Sequence, residues 1–418
     1  MRRSIFYLLL IILRINNAWR SEVAVIMGGK SEAGTEHFEV EVYTERSDSC
    51  AKDLHGLQAE EVFDYIGAST NAAGLYLDNL GLFVCGGMNL GVPDAECYYY
   101  YFRSMPGLFG WSKFDYEKDT DIFQNDGILD TAMEVWDYNS GELGFYQVGG
   151  RYNEAQDPSM LSTYKYKDGD TVINQEPNNE MPYPRAGHCF VRVKTSSDGR
   201  YQYLAIGGET SPENTAQINY YYCNDEDCTN WNWEVSIVPE LDQITGHSCA
   251  VFEESDEEGE VKEVVLIAGG KDDYSMKTFV LSSFCDSISH KCNWTAKDAT
   301  NLPQPLSHSK LITLDGVPYI FGGNNGTFAT DTVYKFISGN WIEMSRMLLA
   351  RQNHLVLAVP EDWLCYGTFT TTAASTSISD STSTASITTM STSTDASTAF
   401  PNFTSMSTSS GELSKCVL

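Results

Sequence analysis

Four histidines, His188, His247, His308 and His354, are the side chains here whose type best suits holding a metal or moving a proton at neutral pH. Each stands just ahead of an apolar run, in AGHCFVRV, TGHSCAVF, LSHSKLITL and RQNHLVLAV, so the four are expected at one place in four repeated units. Repetition disperses them around a structure, whereas a catalytic metal needs three or more protein ligands within coordination distance of one ion. They are read as structural. Asp115, Glu117, Asp119 and Asp121 alternate as calcium ligands do, yet the glycine at the sixth position and the glutamate at the twelfth are missing. The acidic runs Asp225–Asp227 and Glu253–Glu260 read as solvated loops. There is no Gly-x-Ser-x-Gly elbow, no His-Glu-x-x-His and no phosphate loop. No catalytic residue, metal ligand or cofactor is therefore assigned.

Composition narrows the partners. The chain has 418 residues with 57 acidic against 27 basic side chains, a formal charge of −30. No segment after the start is basic, so the counterion release that drives nucleic-acid binding has no source. Tyr, Phe and Trp together make 12% of the residues, which suits pleated strands. Eleven cysteines without the doubled short spacing of a zinc site point to an oxidising compartment. Met1–Arg3 is positive and Ile5–Leu13 is an apolar run too short to span a bilayer, with Ala18 a small residue for cleavage, so residues 1–18 read as a signal peptide. Their removal takes three arginines and no acid, which leaves the mature chain still more negative. No later segment is long and apolar enough to cross a membrane. From Thr368 to Ser410 roughly two-thirds of the residues are Ser or Thr, a composition that cannot bury enough apolar surface to fold and reads as a mucin-like stalk.

The elements that would position any site come from a repeat. Six short apolar runs end in paired glycines: Gly28-Gly29, Gly86-Gly87, Gly149-Gly150, Gly207-Gly208, Gly269-Gly270 and Gly322-Gly323. Their first glycines are 58, 63, 58, 62 and 53 residues apart. Each run is too short for a helix and reads as a buried strand, ended where neighbouring backbone crowds in or φ turns positive. A period of this length holding several strands predicts a propeller.

At this point the sequence resembles kelch repeats. The clearest unit is MPYPRAGHCFVRV (181–193), followed by YQYLAIGG, INYYYC and WNW, which has that family's order of Pro-Arg-x-x-His, Gly-Gly, an aromatic third strand and a late Trp. Trp294 and Trp341 match the late Trp of later units, while the units near Tyr65 and Thr131 lack the His. The last fragment has a first strand but no Gly-Gly strand, and the first Gly-Gly strand, Val23–Met27, has no first strand before it. Pairing Leu355–Val359 with Val23–Met27 would close the ring and remove its open edges. The expectation is an all-β, six-bladed kelch-type propeller over residues 19–366 with a composite closing blade, followed by a disordered Ser/Thr-rich tail, 367–418.

Cys223 and Cys285 each lie 16 residues after a first glycine, and Cys228 and Cys292 follow them closely, so Cys223–Cys228 and Cys285–Cys292 are expected to staple third strands to fourth. Cys50 could tie to Cys365; pairing among Cys85, Cys97, Cys189 and Cys249 stays open, and Cys416 is the candidate for an intermolecular disulfide. Asn293, Asn325 and Asn402 head glycosylation sequons, the first two expected in blade loops. The tyrosine runs at 98–102 and 220–222 read as third strands. The resulting functional expectation is a secreted, non-enzymatic propeller that binds an extracellular protein or glycan through loops on one face, with a basic partner favoured by the charge. The alternatives are a carbohydrate-active or oxidase-type propeller enzyme, which the fold alone does not exclude, and a structural matrix component.

Overall fold

The computed structural model describes residues 21–364, apart from 48, 50–69, 79–80, 95, 101–110, 115–128, 138–142, 152–162, 168–173, 176–179, 196–199, 211–216, 224–230, 256–258 and 286–290. The expected tail and signal peptide lie outside the described residues, as do Cys50, Cys228, Cys365, Cys416, Asn402, Tyr65 and the acidic runs at 115–121 and 225–227.

Among the described residues six antiparallel sheets form the blades, and a two-stranded ribbon, Met88–Asn89 with Val92–Pro93, stands apart from them. Blade 1 joins the two ends: Leu355–Pro360 is its first strand, Glu22–Met27 its second and Val40–Tyr43 its third. Blade 2 runs Ala73–Leu77, Gly81–Cys85, Cys97–Tyr100, Trp111–Phe114, and blade 3 runs Ala132–Asp137, Leu143–Val148, Thr163–Lys167, Asn174–Gln175. Blade 4 is Cys189–Lys194, Tyr201–Ile206, Gln217–Cys223, Trp231–Ile237. Blade 5 is Ser248–Ser255, Val261–Ala268, Thr278–Cys285, Cys292–Asp298, and blade 6 is Lys310–Leu314, Val317–Phe321, Val333–Ile337, Asn340–Glu343. First strands of successive blades touch in the cycle 1-2-3-4-5-6-1, which makes this a closed six-bladed β-propeller.

Why the Gly-Gly strands lack hydrophobic alternation follows from the ring. Each stands between two neighbouring blades and must be apolar on both faces. In blade 5, Val265 and Ile267 pack with blade 4 while Leu266 and Ala268 pack with blade 6. In blade 1, Val23, Val25 and Met27 face blade 2, and Ala24 and Ile26 face blade 6. The clasp has the expected register, Val23 opposite Val359 and Met27 opposite Leu355. Blades 2 and 3 form in full although their units lack the histidine.

The strand directions define two faces. First strands start, and Gly-Gly strands end, on one face; we call it the mouth face. The chain leaves the described fold on the opposite face, where the short helix Glu361–Leu364 follows blade 1's first strand and packs Trp363 against Tyr76 and Tyr100 of blade 2. No helix among the described residues is long and apolar enough to cross a membrane.

Candidate functional site

Two polar layers stack at the mouth face, and the lower one is built from the repeat. All twelve glycines of the six pairs have positive φ, between 53° and 139°, the region where a side chain is strained. The second glycine's N–H reaches across to the next blade: Gly150 donates to the Arg185 carbonyl at 2.7 Å, Gly208 to Ile244 at 2.9 Å, Gly270 to Leu306 at 2.8 Å and Gly323 to Arg351 at 2.7 Å. The first glycine leaves room for the next blade's histidine. A Cβ on Gly149 would stand 2.7 Å from the His188 ring, one on Gly207 2.5 Å from His247, and one on Gly322 3.0 Å from His354. His247 Nε2 also meets the Ile206 carbonyl at 3.2 Å. Burial pushes His188 down to about 3 and His247 down to about 4, and lowers His354 as well, so all three are neutral wedges between blades.

Both arginines of this layer are fully buried and serve the backbone. Arg185 donates to the carbonyl of Gly207 at 2.8 Å and to that of Gln217. Arg351 donates to Gly28 at 2.8 Å and Glu39 at 2.9 Å, fastening the second and third strands of the composite blade across 312 and 323 residues of sequence. Such charge-assisted bonds are worth roughly 1.5–3 kcal/mol each. The histidines and arginines that the sequence makes most conspicuous therefore hold the ring together.

The upper layer is a rim of six left-handed residues, one from each blade, two positions before each first strand: Asn353, Asn71, Asp130, Gly187, Gly246 and His308, with φ from 53° to 64°. Backbone bonds pass from one to the next around the mouth, Asn71 N to Asn353 O at 3.1 Å, Asp130 to Asn71 at 3.2 Å, Gly187 to Asp130 at 2.8 Å, His308 to Gly246 at 2.7 Å and Asn353 to His308 at 3.0 Å. His308 thus corrects the sequence expectation. It does not share the place of His188, His247 and His354; Ser309 does, and His308 sits one residue earlier, on the rim. The histidine-to-strand spacing carried the signal, because His308 is two residues before its strand and the others are one.

Side chains that differ from blade to blade collect here. Arg151 bridges Asp130 at 2.9 Å and Glu209 at 2.8 Å, and Lys271 stands 3.7 Å from Glu209. Burial alone would lower the Arg151 pKa, but the two carboxylates outweigh it and raise it; Glu209 is held down mainly by its Arg151 hydrogen bond, against burial. The His308 ring lies over Gly246 beside Lys271, and burial with the nearby Lys271, Lys30 and Lys310 pushes it down to about 4. Lys30, Arg151, Glu209 and Lys271 each directly follow a Gly-Gly pair, which is the regularity that could have found them in the sequence. Among the described residues no group of three His, Cys, Asp or Glu stands close enough to hold a metal.

The remaining sequence-assigned residues fall elsewhere. Cys285 and Cys292 face each other across the third and fourth strands of blade 5 at disulfide distance, Cα–Cα 4.0 Å. Cys223 is disulfide-bonded, with its expected partner outside the described residues. Of the pairings left open, Cys85 bridges Cys97 within blade 2, and Cys189 bridges Cys249 between the first strands of blades 4 and 5. Asn293 lies exposed in the outer strand of blade 5, a correction to its expected loop placement, because strand pairing continues straight from Cys292. Asn325 is in a loop of blade 6, its amide oxygen accepting from Thr327 N and Phe328 N at 3.0 Å. Tyr220, Tyr221 and Tyr222 are buried in a third strand, and Tyr98–Tyr100 belong to another.

No protein-family model matches the chain, and no curated protein matches it. Among solved structures, one titled "Structure of YjhT" is similar with a TM-score of 0.46 and 12% identity, covering 68% of this chain and 86% of that one.

Proposed function

We propose that this protein is a secreted, non-enzymatic kelch-type propeller that binds an extracellular protein or glycan through its mouth face. The observation that supports this most is the division between the two faces. The mouth face gathers the rim charges, and its second-to-third-strand connections present exposed Phe38, Leu90, Val92, Met276 and Phe328, against Val261, Phe284 and Ile337 at the opposite face. The described chain ends at Leu364 on the other face, so a Ser/Thr-rich stalk following it would start away from the mouth. A rigid ring carrying variable loops is a scaffold for recognition. Three cysteine pairs at disulfide distance are compatible with an oxidising compartment. The net charge favours a basic partner at long range. To test the reading, a reporter fusion of residues 19–366 is screened against extracellular proteins and glycans. Capture of one class, lost on Leu90→Asp with Val92→Asp, supports it; no capture together with turnover of a sugar substrate contradicts it.

One observation favours the enzyme alternative. Glu134, two residues into blade 3's first strand, is pushed up to about 7 by burial, with Arg192 of blade 4 pulling it down. A carboxyl poised near neutrality suits general acid–base work. Turnover of a glycoside that disappears in Glu134→Gln would establish that reading; its absence in the wild type would remove it.

A further inference from the structure

The most exposed large hydrophobic side chain among the described residues is Phe284, at 78%, and it lies away from the mouth, near the end of blade 5's third strand. It joins neither of the core clusters that blade 5 helps to build. Single apolar side chains are ordinary on a protein surface. What singles this one out is its neighbour: the register of the third and fourth strands sets Phe284 directly opposite Asn293, the first residue of the sequon Asn293-Trp294-Thr295. Facing residues of an antiparallel pair stand about 5 Å apart and point to the same side of the sheet. The next pair, Cys285 with Cys292, is at disulfide distance, which fixes that register and turns the cystine to the other side. Alternation along the fourth strand does the rest. Cys292 and Trp294 are buried in the cluster shared with blade 4, whereas Asn293 and Thr295 are exposed, and neither makes a side-chain hydrogen bond among the described residues. Ser282, opposite Thr295, is exposed and small, so Phe284 is the one large side chain that these two pairs offer.

We infer that Asn293 carries an N-linked glycan and that Phe284 is the shelf on which its first N-acetylglucosamine lies. Addition takes a lipid-diphosphate-linked oligosaccharide as co-substrate. The Asn293 amide nitrogen forms a bond to the anomeric carbon, the bond from that carbon to the diphosphate oxygen breaks, and the amide proton leaves with the lipid diphosphate. A pyranose in this linkage has a face of C–H groups, which complements the negative face of an aromatic ring. The sugar covers a side chain that would otherwise meet water. Its bulk also blunts the outer edge of blade 5, whose fourth strand has no further partner strand among the described residues. The inference rests on the secreted reading, since the donor and its transferase act on chains entering the secretory pathway, and it withdraws Phe284 from the apolar surface opposite the mouth.

The full chain is expressed in secreting eukaryotic cells, and protein from the medium is followed by peptide mass spectrometry and by thermal unfolding. Asn293 is expected to be glycosylated in most molecules. Asn293→Gln and Thr295→Ala both remove the sequon, and each is expected to lower Tm by about 2 °C. In a Phe284→Ser background the same two changes are expected to leave Tm where it is, because the shelf is gone. Phe284→Tyr keeps the ring and is expected to keep the drop. Phe284 belongs to no core cluster of its blade, so its variants are expected to be secreted at the wild-type yield. Protein in the medium with Asn293 unmodified would overturn the site and leave secretion standing. No protein in the medium would overturn the secreted reading and the site with it. A glycosylated Asn293 whose loss lowers Tm equally with and without Phe284→Ser, or does not lower it in the wild type, would overturn the shelf.

Discussion

The two polar layers at the mouth differ in one respect that explains the rest: the lower recurs from blade to blade and the upper does not. His188, His247 and His354 wedge against glycines, and Arg185 and Arg351 fasten carbonyls, each repeating a solution to the same junction. The rim keeps only its backbone path and changes its side chains: Asn, Asn, Asp, Gly, Gly and His. Repeated residues in this protein answer to packing, and the unrepeated ones at equivalent positions are free to answer to a ligand. The junction of blades 4 and 5 adds a detail. Gly187 and Gly246 face each other there without a rim bond among the described residues, and Cys189–Cys249 joins the same two blades.

The largest expected effect breaks the lower layer. Gly207→Ala would carry a side chain at φ +59° into the His247 ring and the Ile244 backbone, and should cost about 4 kcal/mol in denaturant unfolding, as strain and overpacking add. Arg351→Met unfastens the composite blade and should cost about 3 kcal/mol by the same measurement, the worth of its two backbone bonds less what the apolar side chain recovers. Replacing Cys189 and Cys249 together by Ser should lower stability by about 2 kcal/mol under oxidising conditions and leave the reduced protein unchanged.

Acid should act on the lower layer through its histidines. Their folded pKa values lie below the unfolded 6.5, so the unfolded chain takes up protons first as pH falls. The stability tied to their neutral form is complete above pH 6.5 and drains away from there towards pH 4 and below. His247→Gln should flatten that part of a stability-against-pH curve. The smallest effect belongs to the rim: Gly187→Ala has the same backbone angle as Gly207→Ala but open space around it, so it should cost only ~1 kcal/mol.

Much of the ring was legible in the sequence because its signals are local. Gly-Gly after an apolar run marks a strand end, and a strand lacking its partner at each terminus marks the clasp from Val23 to Val359. What was not legible depends on register and on distance along the chain. His308 looks like its three counterparts until the spacing to Lys310 is counted, and then the left-handed place goes to the histidine itself. Asp130, Arg151, Glu209 and Lys271 come from three blades and meet only when the ring closes. The cystine between Cys189 and Cys249 joins first strands 60 residues apart, a pairing that no loop length within one blade suggests.

The central claim is that the unrepeated face binds. Partner capture by the reporter fusion should therefore be compared between Leu90→Ser with Val92→Ser on the mouth face and Glu254→Lys with Lys262→Glu at the opposite one. The account predicts that the mouth pair loses capture at an unchanged Tm while the opposite pair keeps it. Capture that survives at the mouth and fails at the opposite face would contradict it.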